Sequence, residues 1–385
     1  MDIMSQSSLA SQESVLPPIV TFDLYVRETD LDGKEYIAGL PGFPRNFSRD
    51  TFVAGILSMD REVLMSQLRV SAKHMGRRSD PTTGEELGRV HHEYPGVQVN
   101  EFPLLTTYNA CEASALFLLA LEALAICDAE LGQKYAMRYR QNVEAATDYI
   151  LRHLREDIFY ECPPVGADRY ALLVTYWKDS VLPEQSEFQS PRYPIAYGLA
   201  HFQAARGIVS AARLLGDNVL AQRAERMYKA GISLFMKESG YMVYTEPEHD
   251  LVQASSDELH ALAYIPLTYK PLLPLDALRR RTESLVTLLG IACTTKEAAA
   301  VISEGYHGRV VWPYEQAFVH YGASKFGLPD IAELALRVVP YVQKGIEYFQ
   351  VEPDIQAAGN DRQLWSVAAE DYFLDPVSLR GRDWM

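Results

Sequence analysis

Hydrophobic residues recur along most of the chain at the spacing of an α-helix. Between Tyr139 and Leu154 they follow one another at steps of three or four, with charged residues on the opposite side. This pattern predicts an amphipathic helix with one buried face. A second helix of this kind is predicted to begin after Asp217, a residue type suited to the N-cap, and to continue to about Leu234.

A different helical pattern covers Ala110 to Leu131, where apolar residues occupy nearly every position around the helix. Such a helix must be buried on most faces. The segments from Thr51 to Met75 and from Tyr193 to Leu215 are intermediate in character. Alternation of heavily buried with one-sided helices predicts two concentric helical layers, built from roughly ten to twelve helices. We therefore expect an all-α fold in the form of a toroid of helical hairpins.

Domain boundaries are not evident in the body of the chain. Candidate strands are weak, and no low-complexity linker separates one part from another. The first twenty residues lack a periodic pattern, and we expect them to form a flexible tail. The prediction is an N-terminal tail over residues 1–20 followed by a single domain over residues 21–385.

Composition and charge exclude several classes of partner. The 385 residues are 48% hydrophobic and 23% charged, as in ordinary folded proteins. Thirty-six basic and 51 acidic residues give a net charge of −15, without a basic cluster that would bind a phosphate backbone. The longest apolar run, around Ala115 to Ile126, is interrupted by Glu122 and is too short to span a bilayer. We expect neither nucleic-acid nor membrane partners.

Targeting and metal-binding signals are also missing from the sequence. The N-terminus has no basic segment followed by an apolar one, so we expect a cytoplasmic protein. The four cysteines form no CxxC pair and the nine histidines show no HExxH spacing. We therefore expect no metal, no cofactor and no disulfide framework. The sequence leaves the oligomeric state open.

Five loop segments concentrate aromatic, charged, glycine and proline residues just before helical patterns begin. Functional side chains often lie in such loops. The segments are Gly39 to Thr51; Gly88 to Gly96, leading to Thr107 to Ser114; Thr175 to Ser180; Gly305 to Gln316; and Glu347 to Phe349, leading to Asp361 to Ser366.

In this order the segments resemble motifs of the helical-toroid clan of glycoside hydrolases. That clan includes the glucosidase domain of glycogen-debranching enzymes, trehalases, glucoamylases, and hydrolases of glucosylglycerate and mannosylglycerate. The resemblance extends from about Tyr36 to Tyr372. The matching motifs are Arg49-Asp50-Thr51, Tyr108-Asn109, Trp177-Lys178-Asp179-Ser180, Val311-Trp312-Pro313-Tyr314-Glu315-Gln316 and Gln363-Leu364-Trp365-Ser366.

The resemblance implies an (α/α)6 toroid whose long loops form a funnel-shaped active site, and hydrolysis that inverts the anomeric centre. Two carboxyl groups, roughly 6.5 to 9.5 Å apart, carry out that reaction. By position, Asp179 matches the general acid and Glu347 the general base. Glu352 is an alternative base, but Tyr348 and Phe349 follow Glu347 as the family pattern expects.

The resemblance also implies a set of sugar-binding residues. Asp50 matches a third carboxylate that accepts hydrogen bonds from sugar hydroxyls, and the tryptophans are candidates for stacking on a sugar ring. The predicted substrate-binding residues are Arg49, Asp50, His92, Glu93, Tyr108, Asn109, Glu112, Trp177, Lys178, His307, Arg309, Trp312, Glu315, Gln316 and Trp365.

The expected substrate is a small soluble α-linked glycoside, and an α-glucoside is favoured. An acidic substrate such as a glycosylglycerate would need a cation to bind its carboxylate. Five residues could supply that cation: Arg45, Arg49, Lys178, Arg192 and Arg309. The sequence does not choose among them.

Other interpretations of the same residues stay open at this stage. The toroid also hosts sugar epimerases and isomerases, for which His92 and His307 would have to converge. A sugar-binding protein without catalysis is a third possibility. Asp50 and Asp179 could simply be helix caps, and the tryptophans could simply be core residues.

Overall fold

A computed structural model of the protein describes residues 22–29, 33–179, 191–300 and 305–374. The predicted N-terminal tail, residues 1–20, lies outside the described residues. Ser180, the last residue of the Trp177-Lys178-Asp179-Ser180 motif, also lies outside them.

Helices dominate these ranges, and short strands occur in the segments between them. The helices are α1 (Ser48–Ser58), α2 (Arg61–Lys73), α3 (Ala113–Cys127), α4 (Ala129–Arg138), α5 (Arg140–Arg152), α6 (Gly198–Leu215), α7 (Asn218–Phe235), α8 (Ser256–Tyr264), α9 (Leu275–Thr282), α10 (Lys296–Ala299), α11 (Pro313–Phe326), α12 (Pro329–Leu336) and α13 (Leu364–Leu374). The strands are β1 (Val26–Thr29), β2 (Gly33–Tyr36), β3 (Gly39–Leu40), β4 (Asn46–Phe47), β5 (Glu93–Tyr94), β6 (Leu154–Arg155), β7 (Ile158–Phe159), β8 (Ala196–Tyr197), β9 (Met236–Lys237), β10 (Gly240–Glu246), β11 (His249–Val252), β12 (Val310–Val311), β13 (Tyr348–Gln350), β14 (Gln356–Ala358) and β15 (Arg362–Gln363).

Six helices form a closed inner ring. In order around the ring, α1, α3, α6, α8, α11 and α13 each contact the next, and α13 contacts α1. Outside them, α2 packs on α1 and α3, α5 on α3 and α6, α7 on α6, α9 on α8, and α12 on α11. This two-layered ring agrees with the all-α toroid predicted from the sequence.

The helix patterns explain which helices lie inside. Helix α3 is buried from Ala113 to Leu124, as its continuous apolar sequence requires. The chain does not stay in one helix to Leu131, because the Asp128 side chain accepts a hydrogen bond from the Leu131 amide and starts α4. Asp217 caps α7 in the same way, as predicted.

The short strands fix the loops at one end of the ring. Strand β13 pairs with β12 and with β14 in a small antiparallel sheet, and Glu347 lies directly before β13. Strand β15 pairs with β3, and β4 pairs with β5. The sequence indicated these strands only weakly because most contain two or three residues, too few to show an alternating pattern.

Three general features of the described residues bear on function. No helix in these ranges combines the length and the apolar character needed to cross a bilayer. The same ranges contain no group of three or more histidine, cysteine or acidic side chains placed to hold a metal ion. All four cysteines are free thiols.

Candidate active site

The first turns of the inner helices, with the residues just before them, contact one another around one end of the ring. Tyr176, from the loop before Asp179, links α6 to α8, since it stacks on Tyr197 (4.5 Å between centroids) and donates to Asp257 (3.1 Å). The other contacts join the helix ends directly: Gln363 donates to Asp50 (2.9 Å), Arg49 pairs with Glu112, Ser256 donates to Glu315 (2.5 Å), and Tyr314 stacks on Trp365 (4.2 Å). Because these residues belong to the N-terminal ends, the positive ends of the helix dipoles surround this region.

One short turn touches both candidate catalytic carboxyl groups. The 3-10 turn Gly305–His307 places two aromatic residues side by side, with ring centroids 4.7 Å apart. The Tyr306 hydroxyl donates a hydrogen bond to Oε1 of Glu347. Nδ1 of His307 lies 3.4 Å from Oδ1 of Asp179. Two residues that are 347 − 179 = 168 positions apart in the sequence are thus brought to the same place.

Glu347 is buried and surrounded by hydrogen-bond donors. Glu347 is only 1% exposed. Its Oε2 accepts hydrogen bonds from the backbone amide (2.6 Å) and from Nδ2 (3.0 Å) of Asn360. Burial raises the pKa of Glu347, whereas the hydrogen bonds from Tyr306 and Asn360 act in the opposite direction. The pKa of Tyr306 lies well above its ordinary value because of burial and the nearby Glu347 charge, so the phenol keeps its proton.

Asp179 lies in a more open environment. Its side chain is 34% exposed, whereas His307 beside it is almost fully buried. Burial lowers the pKa of His307 well below its usual value, and the positive charges of Lys178 and Arg49 lower it further. The imidazole next to Asp179 is therefore neutral at physiological pH.

Asp50 is the third carboxyl group of this region. Burial raises its pKa to about 7, the Glu347 charge adds to the rise, and Arg49 and the Gln363 hydrogen bond oppose it. With a pKa of about 7, Asp50 is largely protonated below neutral pH, where an ordinary aspartate would be ionised, so Asp50 and Glu347 do not both carry a full charge there.

Arg49 is the cation of the site. It is buried, and its Nε donates to Oε1 of Glu112, which is also buried. Burial opposes the charged form of Arg49, but the carboxylates of Glu112, Asp179 and Asp50 raise its pKa above the ordinary value. The guanidinium group thus lies within electrostatic reach of both Asp50 and Asp179.

An aromatic cluster lies beside the carboxyl groups. Trp312 is fully buried and stacks on His307, with centroids 5.3 Å apart. Trp177 meets the same His307 edge to face at 5.2 Å. Trp365 stacks on Tyr314, and among the described residues neither the Trp365 Nε1 nor the Tyr314 hydroxyl has a hydrogen-bond partner. Trp312 is therefore buried within the cluster, whereas Trp365 retains an unused donor.

Two further predicted sugar ligands retain unpaired buried nitrogens. Nδ1 of His92 and Nδ2 of Asn109 have no hydrogen-bond partner within the described part of the chain. Asn109 uses its Oδ1 to accept a hydrogen bond from the Leu172 amide at 2.8 Å. Burial and the Arg49 charge hold the pKa of His92 well below its ordinary value, so the ring is neutral.

Glu93 and Tyr108, two of the predicted sugar ligands, already have hydrogen-bond partners within the protein. The Glu93 carboxylate pairs with Arg45 at 2.5 Å and accepts a hydrogen bond from the Thr106 hydroxyl. The Tyr108 hydroxyl donates to the backbone carbonyl of His74 at 2.8 Å. These polar groups are thus satisfied within the protein, and contact of either residue with a sugar stays a prediction. The same ion pair occupies Arg45, one of the cations considered for an acidic substrate.

Gln316 and Arg309, which were also predicted as ligands, likewise make hydrogen bonds within the protein. The Gln316 amide group makes two hydrogen bonds, both of 2.9 Å, with the backbone of Ile291. The Arg309 guanidinium donates to the carbonyl of Ser284 at 2.7 Å and contacts Glu352 at 3.3 Å. Arg192, another cation considered above, is an exposed residue paired with Glu248.

Lys178 lies in a buried polar network. Its ammonium group, only 1% exposed, donates to the hydroxyls of Ser255 (3.0 Å) and Ser256 (2.6 Å) and to the carbonyl of Cys293 (3.0 Å). Glu315, 3.6 Å from Lys178, belongs to the same network, and burial raises its pKa to about 7. In the structure both residues contact Ser256 at the start of α8, and their predicted contact with a substrate stays a prediction.

The alternative base, Glu352, occupies a different environment from Glu347. Its side chain is 43% exposed and forms ion pairs with Lys296 (3.2 Å) and Arg309 (3.3 Å). Hydrogen bonds from these two cations lower its pKa. Glu352 thus belongs to a surface ion-pair cluster.

Four residues of the site were not selected from the sequence. Tyr306 stood within the loop segment Gly305 to Gln316 and Gln363 within a quoted motif, but neither was given a role. Asn360 and Asp257 carried no signal, because their importance depends on which distant carboxylate or loop they contact in the fold.

Comparisons with known proteins agree with the fold. No family model matches the chain, and no curated protein sequence matches it. Among solved structures, a GH63 mannosylglycerate hydrolase from Thermus thermophilus, in complex with Tris and D-glycerate, is similar with a TM-score of 0.63 and 11% identity. The similarity covers 90% of this chain and 97% of that one. The same enzyme in complex with glucose is similar with a TM-score of 0.60.

A rhamnosidase from Klebsiella oxytoca with rhamnose bound is also similar, with a TM-score of 0.52 and 11% identity. The similarity covers 89% of this chain and 60% of the rhamnosidase. The chain thus has the fold of the (α/α)6-toroid glycoside hydrolases, as the resemblance of its motifs implied.

Proposed function

We propose that the protein is an inverting glycoside hydrolase that acts on a small α-linked glycoside, with Asp179 as general acid and Glu347 as general base. The observation that carries this proposal is the turn Gly305–His307, which contacts one carboxyl group through Tyr306 and the other through His307. Paired carboxyl groups in different environments are what this reaction requires.

The environments support the two roles. Glu347 accepts three hydrogen bonds, from Tyr306 and twice from Asn360, and such donors stabilise the ionised form that a base needs. Asp179 stands beside a neutral imidazole, which does not favour the carboxylate as an imidazolium would. Its partial exposure leaves the carboxyl accessible to a leaving group.

A sugar would bind between these groups, at the bottom of a funnel formed by the loops. The Asp50 carboxyl group and the Arg49 guanidinium group are hydrogen-bonding partners for sugar hydroxyls, and Glu112 holds Arg49 in place. The unused donors of Trp365 and Tyr314 would gain partners from sugar hydroxyls, which offsets the cost of burying them unpaired.

Substrate identity is proposed at the level of class. We propose an α-glucoside as the first candidate. The similar Thermus enzyme is a mannosylglycerate hydrolase and has been seen with glucose and with D-glycerate, so α-mannosides and both glycosylglycerates belong in the same panel.

The experiment is a screen of α-glucosides and α-mannosides, in which proton NMR follows the first-formed anomer of the released sugar. Initial release of the β-anomer is expected, because a single displacement inverts the α-linkage. Initial release of the α-anomer would contradict inversion. Saturable binding without turnover would indicate a sugar-binding protein, and conversion of a free sugar into its epimer or isomer would indicate the other enzyme class.

A further inference from the structure

Three consecutive side chains just before Asp179 bind one buried carboxylate. The Tyr176 hydroxyl donates to Oδ2 of Asp257 at 3.1 Å, and Nε1 of Trp177 donates to Oδ1 at 3.0 Å. Nζ of Lys178 lies 3.0 Å from the same Oδ1. Asp257 belongs to the first turn of α8, so this carboxylate fastens the loop to an inner helix of the ring.

A second set of contacts holds the same loop from another side. Lys178 donates to Ser255 and Ser256 at the start of α8, and its ammonium lies 3.6 Å from Glu315 in the first turn of α11. Ser256 in turn donates to Glu315 at 2.5 Å. The loop that carries Asp179 is therefore attached to two neighbouring inner helices.

Stability alone does not account for this arrangement. Lys178 and Asp257 are each 1% exposed, and burial of an ion pair costs desolvation energy that its attraction often fails to repay. Apolar residues of similar size could fill the same space at equal or better stability. The charged network instead fixes the geometry of the three residues that precede Asp179. Each of their side chains must reach a carboxylate oxygen of Asp257 to complete the network.

We propose that Asp257 is the positioning residue of the general acid, and that it acts through the loop Tyr176 to Lys178. This inference rests on the proposed role of Asp179. A general acid must hold its proton within hydrogen-bond reach of the leaving oxygen, and a displacement of about 1 Å can reduce the rate on the order of 10²-fold. Asp257 fixes that distance without touching the substrate.

The test measures kcat and KM of the Asp257→Asn variant on two substrates. One is an α-glycoside with a poor leaving group that the wild type hydrolyses, and the other is the matching α-glycosyl fluoride, whose fluoride departs with little help from a proton donor. We expect kcat for the glycoside to fall about 10²-fold while KM changes little, and kcat for the fluoride to stay within about 3-fold. Asp179→Asn should show the same selective loss and serves as the reference.

A matched control lies one residue further along α8. Glu258 is also buried and pairs with Arg281, but its ion pair does not involve the loop before Asp179. Glu258→Gln removes a buried charge from the same helix, so any change in activity should be equal for the two substrates. Tyr176→Phe removes one hydrogen bond to Asp257 without leaving a buried charge unpaired, and it provides a second test if Asp257→Asn does not fold.

The outcomes separate this inference from the proposed function. If the wild type hydrolyses neither substrate, the proposed function fails. A second outcome is that the wild type is active while Asp257→Asn and Tyr176→Phe lower kcat equally for both substrates, or for neither. In that case Asp257 is a structural residue and the inference is overturned. A loss of about 3- to 10-fold confined to the glycoside in Tyr176→Phe would support it.

Discussion

At the scale of single residues, environment distinguishes Glu347 from Glu352. Both glutamates lie beside strand β13, Glu347 before it and Glu352 after it. Glu347 is buried and accepts three hydrogen bonds, whereas Glu352 is partly exposed and forms ion pairs with surface cations. The sequence favoured Glu347 only because Tyr348 and Phe349 follow it. The structure supplies a physical reason, since a buried carboxylate next to Tyr306 can activate a water in the site.

We therefore expect Glu347→Gln and Asp179→Asn each to lower kcat by about 10²- to 10⁴-fold, because each change keeps the volume but removes proton transfer. Glu352→Gln should retain kcat within about 2-fold, as it loses only exposed ion pairs. Steady-state kinetics on the best substrate of the panel measures all three. An inactive Glu352→Gln beside an active Glu347→Gln would move the base to Glu352.

At the scale of elements, the hairpin β13–β14 holds the proposed base. Gly359 follows β14 with a φ of +74°, and a Cβ at this position would lie 2.3 Å from Oε2 of Glu347. The backbone therefore approaches the carboxylate more closely than any other residue type would permit. The next residue, Asn360, can then donate one hydrogen bond to Glu347 from its backbone amide and another from Nδ2.

Gly359→Ala should consequently reduce kcat by more than about 10-fold, because the methyl group displaces Glu347 from its donors. The positive φ adds a stability loss of about 1 kcal/mol. Gly216→Ala is the matched control, since Gly216 has a φ of +67° at the end of α6 and a Cβ there would meet open space. Urea unfolding should show a larger stability loss in Gly359→Ala than in Gly216→Ala, because only the former adds a steric clash, and kinetics should show a loss of activity only in Gly359→Ala. Equal activities would contradict the assigned contact.

The helices also show how much of the fold can be predicted from the sequence. The helices were predictable because their apolar faces repeat over many residues, as in α3, α5 and α7. The breaks at Asp60 and Asp128 were missed, since apolar residues continue past these caps. Motif order pointed to Arg49, Asp50 and Trp365, but their partners across the ring depend on tertiary contacts that no local pattern records.

At the scale of the whole molecule, closure of the ring gathers ionisable groups that are distant in sequence. Asp50, in the first turn of α1, is within electrostatic reach of Glu347 only because α13 contacts α1. Burial of several carboxyl groups in one place raises their pKa values, to about 7 for Asp50 and for Glu315. The fold therefore accommodates these groups more readily when they are protonated.

This arrangement predicts a stability that falls as pH rises. An unfolded Asp50 ionises near its ordinary pKa of 3.8, whereas the folded residue keeps its proton up to about pH 7. Between these values the folded state binds more protons than the unfolded state, so the contribution of Asp50 is full below about pH 4 and is lost as pH rises through 7. In Asp50→Asn this loss is absent, and the free energy of unfolding of the wild type relative to the variant should fall by about 1 to 4 kcal/mol between pH 4 and pH 8. Urea unfolding at a series of pH values measures the difference. The control is Asp276→Asn, a change at an exposed side chain, for which the difference in free energy of unfolding from the wild type should not change with pH. A wild-type advantage that grows with pH would show that folded Asp50 is ionised and held by Arg49 instead.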